Sequence, residues 1–373
     1  MSEEQRPPTR WAPERWEGIP TPFLAVDVPT LRANIGRAQA FCDDRGLRLR
    51  PHVKTHKTPE IARLQVDAGA RGLAVATVGE AECFAAAGFD DLFIAYPVHT
   101  NAALARRLRQ LLETADLVLG IDSHDGVDAL VRHGLSDHPR LSLLVEVECG
   151  LRRTGVAPED AGRLASYAAD HGLAVSGVFT FPGHGYAVGA AGAAAADEAK
   201  ALSEAAAAFS DAGLSCTVRS GGATPTYEAT DTTVVTETRP GVYAFHDAQQ
   251  VALGAASPED VALAVVTTVV SAPAPDRIVL DAGSKTLAAD RPSFVDGHGL
   301  LLGVPGARID RIWEHHGVVD TSGADPGEVP KVGDRVAVLP NHVCTAVNLA
   351  DRLYARAADG IVTWDVAARG RNG

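Results

Sequence analysis

From Thr21 to about Gly222 the chain repeats one pattern: a short, continuously apolar run, a Gly- or Pro-marked turn, then a stretch whose apolar residues recur with the helical period. The runs FLAVDV, LRLRPHV, GLAVATV, DLFIAYPV, DLVLGID, LSLLVEVE, AVSGVFTF and CTVRSGG supply about eight strand candidates. Helices are predicted over PTLRANIGRAQAFCDD and near 59–69, 79–87, 101–114, 124–133, 158–171 and 190–212. A strand that is apolar throughout is buried on both faces. About eight of them alternating with helices favour a closed (β/α)8 barrel over a doubly wound open sheet. GVYAF is an alternative eighth strand, which leaves the closure of the barrel open. After about Val251 the texture changes, and VALAVVTTVV, DRIVLDAG, LLGVPGARI, HHGVVD, DRVAVLPNH and RLYARAADGIVTWDV read as strands and turns with almost no helix. The expected fold class is α/β: an N-terminal TIM-like barrel followed by an all-β domain. The expected divisions are a polar, Pro-rich arm over 1–20, the barrel over 21–250 and the β domain over 251–373.

Charge narrows the partners. With 34 basic and 47 acidic residues the net charge is -13, which argues against nucleic acid or an anionic membrane as the main partner and leaves a small molecule. No stretch reaches about 18 apolar residues and the first residues have no signal-peptide core, so a cytoplasmic protein is expected. Five scattered cysteines, an odd number, do not suggest a disulfide framework and read as thiols.

Against that acidic background, RPHVKTHK (Arg50 to Lys57) packs three cations and two imidazoles where a strand hands over to a helix. That is the ligand-binding end of an α/β protein. Lys54 falls at the strand's C-terminal end among His52, His56 and Lys57. Neighbouring cations and burial would lower its pKa, and a neutral amine can form a Schiff base. The plainer readings are a lysine paired with a carboxylate, or a solvated basic loop. SGGATPT (Ser220 to Thr226) offers glycines that let backbone approach a phosphate, with hydroxyls at Thr224 and Thr226; as a bare motif it is equally a connecting turn. Gly183-His184-Gly185-Tyr186 and Arg152-Arg153 place further polar groups after strands, and their convergence on one barrel face suits an anionic ligand. In PNHVC, His342 and Cys344 would share one face if the segment is a strand. Imidazole plus thiolate suits zinc, with positions left for water or substrate; the alternative is two ordinary core or surface residues.

Taken in order, RPHVKTHK, ECGLRRTG, GVFTFPGHGY, SGGATPT, TETRPGVYAF, DAGSKTL, HHGVVD and PNHVC resemble the D-serine dehydratase and D-threonine aldolase family of pyridoxal phosphate enzymes, from about Thr21 to the C-terminus. The resemblance implies an alanine-racemase type of fold and a homodimer. It implies that Lys54 carries the cofactor, and that Gly221, Gly222 and Thr224, with Tyr243 from RPGVY, hold its phosphate. Arg153 and Tyr186 match positions near the cofactor's ring oxygen and the substrate, and Arg239 matches an arginine beside the pyridine nitrogen in related racemases. His342 and Cys344 match a metal pair, with zinc expected and manganese or magnesium as alternatives. His316 matches a histidine of an EHG motif, here Glu314-His315-His316-Gly317 with an extra histidine. Glu148 stands where the family is expected to have aspartate.

The activity so implied is a lyase acting on D-3-hydroxy amino acids. Two outcomes differ in the bond broken: loss of the β-hydroxyl gives a 2-oxo acid and ammonia, whereas cleavage between Cα and Cβ gives glycine and an aldehyde. The His-X-Cys pair, where the aldolases tend to His-X-Asp, and the KTHK form of the lysine motif favour the dehydratase, with the aldolase as the alternative. A racemase would need a second base and no metal. A non-catalytic cofactor carrier would lack the β domain.

Overall fold

The computed structural model describes residues 9–373. The chain divides into two compact units, a barrel unit (Gly36–Lys54, Pro59–Gly241 and Arg371–Gly373) and a β unit (residues up to Ile35, Thr55–Thr58 and Val242–Gly370). The first strand, β1 (Phe23–Asp27), is buried along its whole length, and helix α1 (Val28–Asp43) follows it. Although FLAVD reads as the first barrel strand, β1 takes no part in the barrel. Full burial is common to the centre of any covered sheet, so its hydrophobic run could not say which sheet it would join.

The barrel consists of eight parallel strands: β2 (Arg48–Leu49), β3 (Leu73–Val75), β4 (Asp91–Pro97), β5 (Asp116–Ile121), β6 (Leu141–Glu146), β7 (Val175–Phe179), β8 (Val218–Gly221) and β9 (Glu237–Thr238), ordered β2-β9-β8-β7-β6-β5-β4-β3. Its two ends meet where the Arg71 N–H donates to the Leu49 carbonyl at 2.8 Å, the Ala74 N–H donates to the Pro51 carbonyl at 2.9 Å, and His52 bridges Ala74. The eighth strand is therefore Glu237–Thr238, within TETRP. GVYAF does not supply it, because Val242–Ala244 turns as a 3-10 helix. Between the strands run α2 (Pro59–Asp67), α3 (Val78–Ala86), α4 (Ala102–Leu112), α5 (His124–Arg132), α6 (Ala161–Asp170) and α7 (Ala191–Asp211). Side chains of Thr77, Asn101 and Ser123 accept first-turn N–H groups of α3, α4 and α5, which is why those helices begin where they do. Phe93, Leu144 and Phe179 form an apolar layer inside the barrel.

The β unit continues from α8 (Ala248–Ala252) through β10 (Leu263–Ala274), β11 (Arg277–Leu280), α9 (Ser284–Leu287), β12 (Leu300–Leu301), β13 (Arg308–Ile312), β14 (Gly317–Asp320), β15 (Arg335–Leu339), α10 (Val343–Leu349), β16 (Arg352–Ala357) and β17 (Gly360–Asp365). Its sheet runs β13-β14-β11-β10-β1-β16-β17, with β15 pairing β10 and β12. Only β1 with β16 is parallel. The stretches SKTL and VCTAVNL, read as part of an all-β texture, are helical. Of the expected arm, residues 1–8 lie outside the described residues. Trp11 and Trp16 stack at 6.2 Å, and Trp16 is fully buried against the core of this unit. No helix among the described residues is long and apolar enough to cross a membrane.

Candidate active site

The basic run at Arg50 to Lys57 separates into three kinds of residue. Arg50 is nearly buried and structural: its Nε donates to Glu237 at 2.9 Å, and its terminal nitrogens donate to Asp91 at 2.6 and 3.2 Å. Lys57, held at φ 53°, donates from Nζ to Asn348 Oδ1 at 2.7 Å, within the β unit. His56 is buried and its Nδ1 accepts the Thr58 N–H at 3.1 Å. That leaves His52 and Lys54 to the barrel's ligand-binding end.

There Lys54 lies on the 3-10 turn Val53–Thr55, with Nζ 5.8 Å from the centre of the Phe181 ring. The Arg153 guanidinium lies 5.1 Å from the same ring centre, and Tyr186 packs on Phe181 from the Gly183–Gly185 turn at 6.3 Å. Burial first, then the charges of Lys54, Arg239 and Arg153, hold the His52 imidazole well below its ordinary pKa. Arg239 is buried, with its guanidinium 5.4 Å from each of the Phe93 and Phe179 rings. It donates to Ser220 Oγ and to the Thr180 carbonyl at 2.7 Å. Burial lowers its pKa to about 10 even with Glu237, Glu198 and Glu146 opposing. The charged path Asp91, Arg50, Glu237, Ser220, Arg239 thus crosses the barrel, and Arg239 is its inner end.

Glu146 and Glu148, at the end of LSLLVEVE, do different things. Glu146 is buried, with Oε1 3.7 Å from Arg153 Nη2, and burial raises its pKa. Glu148 folds back on its own loop. Burial would raise it, but the backbone N–H groups of Arg152, Gly150, Arg153 and Cys149 outweigh burial and lower it. The residue differing from the expected aspartate therefore shapes the loop that carries Arg153. His184 faces α7, with Nε2 3.2 Å from Asp197 Oδ2.

The glycine loop after β8 is tight. Gly222 has φ +82°, and a Cβ there would fall 1.8 Å from Thr238 Oγ1. A Cβ on Gly221 would fall 2.2 Å from Glu198 Oε1. Backbone N–H groups of the loop are already engaged: Gly222 donates to Glu198, and Ala223 donates to Thr226 Oγ1 at 3.0 Å. Thr224 is buried in the same loop.

In the β unit, β15 stops before Pro340, and His342 is the N-cap of α10 in extended geometry, with Cys344 in the first helical turn. The pair therefore meets at a helix start, not along one face of a strand; Pro340 denies the ladder the N–H that continuing it would require. His342 Nδ1 lies 3.3 Å from Asp247 Oδ2, which also accepts the Val343 N–H at 3.0 Å, while Asp247 Oδ1 accepts from Gln250 N–H at 2.9 Å. Cys344 Sγ lies 3.3 Å from Thr55 Oγ1. Electrostatic interaction with Cys344 first, then with Asp247, raises the His342 pKa well above its ordinary value, against burial. Tyr243 is buried on the Val242–Ala244 turn. His316 lies in the exposed turn between β13 and β14.

These donors fit the groups the sequence implies. Cations of Lys54, Arg153 and Arg239 surround His52. Buried atoms without a hydrogen-bond partner among the described residues include His52 Nδ1, Thr238 Oγ1 and Arg239 Nε. Such a pocket of positive charge with unspent polar atoms suits an anionic, polar cofactor. For a cation, His342 and Cys344 would supply one nitrogen and one sulfur donor, with Asp247 at 3.3 Å from Nδ1 orienting the imidazole. Among the described residues no group of three or more His, Cys, Asp or Glu side chains is placed to hold a metal.

Glu146, Glu198 and Asp247 were not singled out in the sequence. Glu198 carried a signal: it falls on the helical stripe of Ala194, Ala201, Leu202, Ala205 and Phe209, all buried, where an acid has no reason to be unless it meets a polar partner.

Family models match two parts of the chain: alanine racemase, N-terminal domain, over residues 26–249, and putative serine dehydratase domain over 262–356. The chain is 33% identical over 369 residues to D-threo-3-hydroxyaspartate dehydratase of Delftia sp. (strain HT23), covering 93% of this chain and 97% of the relative. It is also 33% identical over 363 residues to D-threonine aldolase of an Arthrobacter species, covering 94% and 93%. A solved cysteine-to-alanine variant of D-threo-3-hydroxyaspartate dehydratase in its metal-free form matches with a TM-score of 0.87 at 33% identity, covering 93% of this chain and 97% of that one; another solved variant of the enzyme replaces a histidine two positions earlier.

Proposed function

The chain belongs to the pyridoxal phosphate lyases that join an alanine racemase N-terminal domain to a serine dehydratase domain, and from that premise we propose that it is a zinc-assisted dehydratase of D-3-hydroxy amino acids, releasing a 2-oxo acid and ammonia. The observation carrying the cofactor reading is the convergence of Lys54 and Arg153 on Phe181 beside a His52 whose pKa is lowered by burial and then by Lys54, Arg239 and Arg153. When bound, pyridoxal phosphate supplies a sink for the electron pair left at Cα, and the divalent cation an electrophile for the β-oxygen.

In this reading Lys54 would hold the cofactor through Nζ, and the same nitrogen would take the Cα proton. Arg153, 3.7 Å from Glu146, would face the cofactor's ring oxygen, and Tyr186 would border the substrate. Arg239 would face the pyridine nitrogen. A guanidinium keeps its protons, so this arrangement leaves the ring a weaker sink than a protonated pyridinium and makes assistance at Cβ more valuable. Gly221, Gly222 and Thr224, with Tyr243, hold the phosphate. His342 Nε2 and Cys344 Sγ hold the cation, and His316 is the further candidate for proton transfer. Homodimeric assembly rests on the family resemblance and is checked by sedimentation.

Dehydration is favoured over aldol cleavage because a histidine and a cysteine two positions apart occur here, the same residue types at the same spacing as those replaced in the solved dehydratase variants. The equal identity to an aldolase supports cleavage to glycine and an aldehyde as the second reading. The test is to incubate purified protein with D-3-hydroxyaspartate, D-serine and D-threonine, with and without a chelator. A 2-oxo acid with ammonia supports dehydration, and glycine with an aldehyde replaces it by the second reading. Full turnover after complete metal removal refutes the assistance assigned to His342 and Cys344.

A further inference from the structure

Glu198 is a buried acid of the barrel that the chemistry above does not use. Glu198 is fully buried on α7, and its Oε1 accepts the N–H of Gly222. Its contact with the glycine loop is close enough that a Cβ on Gly221 would lie 2.2 Å from that oxygen. Its second oxygen, Oε2, is buried and has no hydrogen-bond partner among the described residues. The groups facing it are Arg239, just after β9, which opposes its protonation, and the Cys149 thiol after β6, whose own pKa Glu198 helps to raise. His184 is engaged by the neighbouring Asp197.

An ionised carboxylate beneath a loop that receives a phosphate dianion sets like charges against each other in a site with little water to screen them. A carboxylic acid has no such conflict: one oxygen still accepts from Gly222, and the other, at present without a partner, carries a proton it can donate. We propose that Glu198 is a positioning residue for the phosphate loop and holds Gly222 as a neutral carboxylic acid while phosphate is bound, so that loading the cofactor takes up one proton at Glu198. The proton comes from solvent and adds to the carboxylate; no other bond is made or broken. The inference rests on the reading that this loop takes the cofactor's phosphate.

Burial raises the Glu198 pKa to about 7, against the Gly222 N–H and Arg239, and a nearby dianion raises it further. The loaded protein therefore binds more protons than the unloaded one at pH values above about 7, and cofactor affinity falls there as pH rises, by at most about tenfold per pH unit.

The decisive measurement is calorimetric titration of the full-length protein, stripped of cofactor, with pyridoxal phosphate and with pyridoxal, in two buffers of different ionisation enthalpy near pH 8. The expected result is an excess proton uptake for the phosphorylated ligand, a large fraction of one proton, that disappears in E198Q. Equal uptake for the two ligands overturns the inference, as does an excess that survives in E198Q. Should E198Q not fold, the comparison of the two ligands on the wild-type chain still decides. If the two ligands bind equally tightly at every pH, the phosphate reading of the loop fails, an outcome distinct from equal proton uptake with unequal affinity.

Discussion

Replacing Arg50 by Met separates the architectural cation of the RPHVKTHK run from the chemical one. Arg50 joins Asp91 to Glu237, whose side chains are 44% and 3% exposed. On loss of the guanidinium Asp91 can turn to water, whereas Glu237 stays enclosed with Ser220 as its remaining close donor. Stranding a carboxylate this deeply costs about 3–5 kcal/mol. For a unit of roughly 200 residues that corresponds to a Tm lower by about 10 °C. Differential scanning calorimetry of R50M checks this, and R50M/E237Q should recover at least half of the loss, because glutamine can still accept from Ser220 without a charge. K54A should show the opposite profile, with a Tm close to wild type in cofactor-free protein and no visible absorbance from bound cofactor. A Tm for R50M within about 2 °C of wild type, or a double variant less stable than the single one, refutes the buried-pair argument.

Burial would raise the Glu237 pKa, but Arg50, Ser220 and Arg239 together lower it. Its contribution to stability is therefore fully present above the ordinary glutamate value of about 4.3 and is lost as pH falls through the lower folded value; acid titration of stability should show this fall in wild type and a smaller one in R50M/E237Q. Gly222→Ala places a Cβ 1.8 Å from Thr238 Oγ1 at a φ of +82°, and left-handed strain of about 1–2 kcal/mol plus overpacking of about 1–3 kcal/mol should lower Tm by several degrees and loosen cofactor retention in dialysis. Asp247→Ala removes the acceptor that orients His342, so metal affinity, read by dialysis and elemental analysis, should fall about 10–100-fold; undiminished metal content would show that the imidazole is oriented by something else.

Much of the barrel was legible because burial on both faces leaves a continuous apolar run in the sequence, and a crossover helix leaves a 3.6-residue period. Six helices from α2 to α7 lie within a few residues of their expected positions. The local motifs at Lys54, Gly221, Gly222, His342 and Cys344 were visible for a related reason: glycines, cations and soft ligands are conspicuous residue types near strand ends. What the chain alone could not state is which long-range partner each element takes. FLAVD is as apolar as any barrel strand, and only its pairing with β10 and β16 assigns it to the other sheet. The two-residue β9 is too short to carry a period, so its place as the eighth strand emerges only from its ladders to β2 and β8. The same distinction divides the basic run. Composition identifies three cations and two imidazoles, while the side chains that reach Arg50, Lys54 and Lys57 lie far along the chain, at Glu237, Phe181 and Asn348. Charge is a property of a residue and can be read in order, but its use depends on which distant groups the folded backbone brings within hydrogen-bonding range.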